Sequence, residues 1–204
     1  MSVEIDPEIR MFELTGGMGA GKTTTGEIFE SLGAKVIDTD KIATELQKPE
    51  GPALPPMVEI LGAQIIGEDG KLDRALAGKI MFSDPELVKA INEALHPMVW
   101  DATLERIAEL SAGSTAVIEV PVPDLEHAKI MNGIVSVITS EERAIERLVT
   151  GHRKIEMEVA KERIREQISN EERIAMSDFV IVNDGTFEEL VANTTHVWEQ
   201  MKTL

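Results

Sequence analysis

Short apolar runs alternating with amphipathic stretches dominate the pattern along the chain. Met11-Phe12-Glu13-Leu14, Lys35 to Asp40 around Val36 and Ile37, Thr115 to Val120, Ile134 to Ile138, and Phe179 to Val182 are the apolar runs. Their length and apolar, mostly β-branched content suit buried parallel strands, although Glu13 is unusual inside one. Between them the period becomes helical. Thr24 to Leu32 puts Ile28, Phe29 and Leu32 on one face, with Gly33 placed as the C-cap. A helix over 41–47 follows the second run, with Asp40 a candidate N-cap. Thr186 and Glu189 form a capping box for a last helix, on which Leu190, Val191, Val197, Trp198 and Met201 are core candidates. Strands alternating with helices predict an α/β fold with a five-stranded parallel sheet.

One excursion interrupts the alternation. Residues 48–56 carry four of the nine prolines and predict a connection leaving the core. Residues 57–110 then read as helical. Gly67 to Gly70 predicts a turn, and Leu72-Asp73-Arg74 opens a helix toward Phe82. Asp84-Pro85 supplies an N-cap followed by proline at the first helical position. Leu87, Ile91 and Leu95 recur every four residues. His96-Pro97 is expected to interrupt the helix before Val99, Trp100, Leu104, Ile107 and Leu110 continue the pattern. A parallel crossover needs only about a dozen residues, so the excursion predicts an inserted helical subdomain. The expected organisation is a core at 10–47, 111–139 and 174–204, a helical subdomain at 48–110, and a helical lid at 140–173.

Composition excludes several classes of function. The chain has 204 residues, 43% of them hydrophobic, enough for a proper core. No apolar run approaches the roughly 18 residues of a membrane span. The charged stretch Met1 to Arg10 has no apolar signal region, so a cytoplasmic location is expected. With no cysteine there is no disulfide, thiolate metal site or cysteine nucleophile. A net charge of −17 opposes binding to nucleic acid. The expected partner is a small-molecule substrate, with no membrane and with a monomeric or weakly homo-oligomeric chain. A nucleotide-binding protein this acidic must still gather positive charge locally.

Gly16-Gly17-Met18-Gly19-Ala20-Gly21-Lys22-Thr23 shows where. It fits the phosphate-binding pattern G-x-x-x-x-G-K-[ST], set between a strand and a helix as that pattern requires. Gly17, Gly19, Ala20 and Gly21 let backbone N–H groups close round phosphate oxygens. Lys22 supplies a point charge for the β- and γ-phosphates of ATP, and the Thr23 hydroxyl is a ligand for Mg²⁺. Thr24 continues into a helix whose positive dipole end faces the same anions. Asp38 and Asp40 lie at a strand's carboxyl end, where an acid orients or deprotonates an acceptor hydroxyl, or holds Mg²⁺ through water. Glu119 ends the third run in a position able to hold Mg²⁺ through water. Arg143, Arg147, Arg153, Lys154, Lys161, Arg163, Arg165 and Arg173 are eight of the twenty basic residues. Seven glutamates share that segment, which by itself reads as a salt-bridged, solvated helix. Phosphoryl transfer needs charge opposite the loop, and arginine's planar fork suits phosphate, so some of these arginines are expected to be functional.

Taken in order, these pieces resemble the dephospho-CoA kinase family nearly end to end. Leu14 to Thr24 is similar to its LTGGxGxGKST, and Leu32-Gly33 with Val36 to Asp40 to LGxxVIDAD. Asp69 to Arg74 resembles DGxLDR, Phe82 to Pro85 FxDP, and Leu95-His96-Pro97 LHP. Ala160, Arg163, Ile164 and Gln167 fit AxxRIxxQ, and Ser177 to Gly185 is similar to ADxVIxNxG. The resemblance implies a three-layer P-loop kinase fold with a helical insert and a lid. It implies transfer of the ATP γ-phosphate to the 3′-hydroxyl of dephospho-CoA, with Mg²⁺. It further implies that Asp40 is the orienter or base, that Asn183 and Gly185 lie near adenine, that Asp38, Arg74 and His96 are on the acceptor side, and that Arg147 and Arg153 are the lid's catalytic arginines. Two segments depart from the family pattern. Val120-Pro121-Val122-Pro123-Asp124-Leu125-Glu126 stands where VPLLFE is usual, and Gly151 stands at the second arginine of RLxxR, with Arg153 two residues on. The alternatives are a P-loop kinase of another small hydroxyl acceptor, such as a nucleoside or nucleotide, and a nucleotide-binding regulator without catalysis. No NKxD guanine-reading motif occurs, which disfavours a GTPase.

Overall fold

The computed structural model describes residues 3–123, 126–151 and 154–204. They fall into two compact units, one within 6–37 and 110–204, the other within 3–5 and 38–109.

The larger unit is built on a five-stranded sheet of β1 (Arg10–Gly16), β2 (Lys35–Asp38), β3 (Thr115–Glu119), β4 (Gly133–Ile138) and β5 (Phe179–Val182). The spatial order is β2-β3-β1-β4-β5, with β1 parallel to both β3 and β4, and β4 parallel to β5. The central strand β1 therefore carries the loop at its carboxyl end, with Leu14 in register with Glu119 on one side and Val135 on the other. Side chains alternate between the two faces. Phe12, Leu14, Val117, Val135, Val137 and Ile181 join Ile28 and Phe29 of α1 (Lys22–Ser31) and Leu190, Val197, Trp198 and Met201 of α9 (Phe187–Met201) in one apolar core. The other face of β1 and β4 carries Glu13, Thr15, Ile134 and Ser136, all buried. The expected caps are present. Leu32 ends α1, Gly33 turns at φ 108°, and the N–H groups of Gly33 and Ala34 return to the carbonyls of Glu30 and Phe29 at 3.0 Å each. Thr186 and Glu189 close a reciprocal capping box on α9.

The smaller unit contains α2 (Thr39–Leu46), α3 (Leu54–Leu61), α4 (Arg74–Met81) and α5 (Pro85–Ala108). Ala53, Met57, Leu61, Ile65, Ala77, Ile91 and Leu95 form its own core. Asp84 caps α5, as the sequence predicts, and Asp73 caps α4.

Three local expectations are corrected. Helix α2 starts at Thr39 and its cap is Asp38, which accepts from the N–H groups of Asp40 and Lys41 at 2.9 and 3.2 Å. A strand-end Asp with extended backbone is already in cap geometry, so Asp40 falls inside the first turn. Helix α3 begins at Leu54, because Pro55 and Pro56 occupy its first turn, where no intrahelical N–H is needed. Pro97 does not interrupt α5, which runs straight through it. Glu93, whose carbonyl loses its N–H partner, is exposed together with His96 and Pro97, so water can satisfy the freed group.

Phe29 is fully buried, 6.1 Å from the Trp198 ring. Phe29→Ala is expected to cost about 3–5 kcal/mol, read as a fall in the urea midpoint at unchanged slope. A loss below about 1 kcal/mol would mean that α1 and α9 are not held together through this ring.

Candidate active site

The loop from β1 to α1 is fixed by backbone conformation and by crowding. Gly19 and Gly21 have φ of 80° and 98°, the left-handed region that glycine enters at no steric cost. A Cβ on Gly19 would sit 2.8 Å from the Ala144 carbonyl oxygen, and one on Gly21 would overlap Asn183 Nδ2. Because α1 begins at Lys22, its first N–H groups, which have no acceptor within the helix, open at the loop with the positive dipole end.

The carbonyl side of the loop is held from outside. Arg147, on α6 (Glu141–Thr150), donates from Nη1 to the Gly19 and Ala20 carbonyls at 3.2 and 3.5 Å. Its Nη2 donates to the Asn183 carbonyl and Oδ1 at 2.8 and 3.2 Å. Asn183, buried just beyond β5, donates from Nδ2 to the Ala20 carbonyl at 2.7 Å. In a trans peptide the C=O and the following N–H point in opposite directions. Fixing the Ala20 carbonyl toward Asn183 therefore turns the Gly21 N–H the other way. At the tip, the Met18 N–H donates to Gln167 Oε1 at 2.9 Å.

Lys22 Nζ donates to the Val120 carbonyl at 3.2 Å, just past the end of β3. Glu119, the last residue of β3, is buried, and its carboxylate packs against Gly26 of α1 so closely that a Cβ there would overlap Oε1. Gly26 lies one helical turn after Thr23, on the same side of α1. Two oxygen donors, a hydroxyl and a carboxylate, are thus associated with one helix face. Among the described residues no group of three or more His, Cys, Asp or Glu side chains is placed to hold a metal by itself.

The lid segment separates into two kinds of cation. Arg143 pairs with Glu146 at 3.0 Å on an exposed face of α6, and Lys161 with Glu158 at 2.9 Å on α7 (Met157–Arg165). Arg147 turns inward, and so does Arg173 on α8 (Asn170–Ala175). Arg153, like Asp124 and Leu125 of the Val120–Glu126 segment, lies outside the described residues. In the smaller unit, Asp38 is committed to capping α2 and lies 3.4 Å from Lys41 Nζ, while Asp40 is exposed. Arg74 donates to Gln47 Oε1 at 2.6 Å and to the Thr44 carbonyl at 3.4 Å, near the far end of α2 from Asp38. His96 is exposed on α5.

The loop's geometry suits many nucleotide-using enzymes, and the rest of the chain narrows the field. The family model for dephospho-CoA kinase matches residues 10–189. The chain belongs to the dephospho-CoA kinase family. It is similar to the dephospho-CoA kinase of Thermobifida fusca, 36% identical over 93% of this chain and 94% of that one. It is also similar to that of Corynebacterium glutamicum, 37% identical over 90% and 95%. Among solved structures, TT1252 from Thermus thermophilus matches with a TM-score of 0.76 and 26% identity over 94% of this chain and 97% of that one. The Campylobacter jejuni dephospho-CoA kinase shares the fold, with a TM-score of 0.65 and 24% identity over 97% of this chain and 100% of that one. Membership makes the chain a kinase, and so a user of ATP. Among the described residues, no helix is long and apolar enough to cross a membrane.

Two side chains of this kinase site escaped the sequence reading. Gln167 stands in the AxxRIxxQ match, but nothing in that pattern says that it reaches the loop. Asp184, between Asn183 and Gly185, accepts from the Ser140 N–H at 2.7 Å and the Thr139 hydroxyl at 2.8 Å, tying the start of α6 to the end of β5. The Ser140 N–H first, then the Thr139 hydroxyl, holds the Asp184 carboxyl below its ordinary value. Because the folded value lies below the unfolded one, the stabilisation is complete above about pH 4 and is lost as pH falls through the folded value. Asp184→Asn should therefore lower the urea midpoint at pH 7, and the gap to the parent should shrink as pH is taken below about 4. A gap that stayed constant down to pH 2.5 would contradict this.

Proposed function

We propose that the protein transfers the γ-phosphate of ATP to the 3′-hydroxyl of dephospho-CoA, giving coenzyme A and ADP. The observation that carries this reading is the Gly16–Thr23 loop, held open by Arg147 and Asn183, within a chain of this family. The acceptor oxygen forms a bond to the γ-phosphorus while the bond from that phosphorus to the β–γ bridging oxygen breaks. ADP leaves with the electron pair, and the hydroxyl proton passes to the Asp40 carboxylate. Asp40 suits this role because it is exposed and leaves capping to Asp38. Lys22 moves from the Val120 carbonyl to the phosphates, an exchange of a neutral acceptor for an anionic one.

Mg²⁺ would be held by the Thr23 hydroxyl and, through water, by Glu119, and when bound it neutralises phosphate charge. The fit rests on Gly26, whose missing side chain makes room for the Glu119 carboxylate. Asn183 and Gly185 line the adenine side, and Arg147 supports it by fixing Asn183. Residues 38–109 serve the acceptor, with Asp38 shaping the turn that presents Asp40, and Arg74 and His96 on their surface. Residues 140–173 act as the lid, and Arg153 within it is a candidate for a cation at the transferring group. The enzyme works in the cytoplasm on a small-molecule substrate, as a monomer or weak homo-oligomer.

ADP release measured with dephospho-CoA against a panel of nucleosides tests the acceptor. Turnover with dephospho-CoA alone is expected, and turnover only with a nucleoside would replace this reading by the other kinase one. ATP bound tightly with no acceptor used would favour a regulator. Lys22→Ala is expected to lower kcat by about two orders of magnitude or more with an unchanged urea midpoint, and near-normal turnover would remove the loop from the chemistry. Asp40→Asn should lower kcat about 10²–10⁴-fold with ATP affinity preserved. Retained activity would make Asp40 a residue of the first helical turn and nothing more.

A further inference from the structure

Arg173 is an unusual residue to find where it is. It is 2% exposed and heads the largest fully buried side chains of the chain. It sits on α8, a helix of six residues fixed at its start by the Ser169–Glu172 capping box. Just beyond the helix, the Ser177 hydroxyl lies within hydrogen-bond distance of the Arg173 carbonyl (2.6 Å) and of Ser136 Oγ on β4 (2.5 Å). The residue is therefore locked in position by its backbone.

Its guanidinium is far less occupied. Among the described residues it makes one side-chain hydrogen bond, from Nη1 to the Thr15 hydroxyl at 3.1 Å. A guanidinium has five N–H donors, and a buried charge is costly unless it is paired. Burial accordingly pushes the Arg173 guanidinium below its ordinary value. Thr15 is the last residue of β1 before the glycines, and Nε lies 3.9 Å from where a Gly17 side chain would begin. Arg173 also lines a cavity of about 300 Å³ with Gly17, Met18, Gln167 and Asn170. Asn170 is itself oriented, donating from Nδ2 to the Thr139 carbonyl at 2.8 Å. A buried guanidinium, anchored by its backbone and with donors to spare, thus lies beside the first half of the phosphate loop.

The geometry points to Arg173 as the second cation of the phosphate site, binding the terminal phosphoryl group of the nucleotide from the Gly17 side while Lys22 holds it from the other end of the loop. This deepens the kinase reading and rests on it only for the identity of the nucleotide. Arg147, whose donors are given to carbonyls, is on this account a positioning residue for the loop. The competing role for Arg173 is purely structural, a buried charge balanced within the polar layer that also holds Glu13, two residues before Thr15 on the same face of β1.

The test is the affinity of parent, Arg173→Gln and Arg173→Lys for ATP, ADP and inorganic tripolyphosphate, by displacement of a fluorescent ADP analogue, alongside urea midpoints. Phosphoryl binding predicts that Arg173→Gln weakens ATP and tripolyphosphate about tenfold or more, and ADP by less than about threefold. Arg173→Lys should recover part of the ATP affinity but not all, since a point charge replaces a fork. Equal losses for ATP and ADP, or unchanged ATP affinity with a lowered urea midpoint, would overturn the proposal in favour of the structural role. If Arg173→Gln does not fold, Arg173→Lys decides by the same ratio, an ATP-to-ADP preference equal to the parent's sinking the proposal. None of these readouts uses an acceptor, so failure with dephospho-CoA and failure of the Arg173 assignment remain separate results.

Discussion

A peptide plane cannot turn its carbonyl one way without turning the next N–H the other. The phosphate site rests on that constraint. Backbone amides bind anions only if their carbonyls have somewhere else to go, and here the somewhere else is Arg147 and Asn183. Both residues come from outside the loop, one from α6 and one from the end of β5. Asp184 and Thr139 then tie those two elements to each other. The loop is a feature of β1 and α1 in sequence, but its shape is imposed by the opposite half of the sheet.

The distribution of charge follows from the same site. A chain of net charge −17 surrounds its phosphate loop with cations: Lys22 inside it, Arg147 behind it and Arg173 beside it. Two cations of the lid, Arg143 and Lys161, are matched with glutamates three residues away, pairs that contribute little in water. The inward pair differ in kind. Arg147 donates to several oxygens of the chain, whereas Arg173 is buried with most of its donors in reserve. Burying such a charge costs stability, and a ligand able to accept those donors offsets that cost where the chain does not.

The helical unit shows how little a proline signifies without its surroundings. Pro97 reads as a break, yet α5 continues through it where Glu93, whose carbonyl it frees, is exposed to water. Asp38 and Asp40 make the complementary point. Two acids at a strand end look equivalent, and local backbone geometry assigns one to the cap and leaves the other exposed. An exposed carboxylate beside a capped helix start is free to do chemistry, and a capping one is not.

The sequence by itself determined whatever depends on local pattern. The strands are legible because buried parallel strands are continuous apolar runs, the loop because only glycines at fixed spacing admit its turn, and the caps of α5 and α9 because their side chains act within three residues. The family was legible because its short motifs recur here in order. The tertiary structure alone decided which cations face the loop. Eight basic residues between 143 and 173 share one composition and much the same periodicity. Only packing separates Arg147 and Arg173 from those in solvated pairs, because the partners that distinguish them lie more than a hundred residues away, at Gly19 and at Thr15. Gln167 was hidden for the same reason, since its contact with Met18 spans 149 positions. Glu119 and Gly26 likewise meet only when β3 is laid beside β1, next to α1.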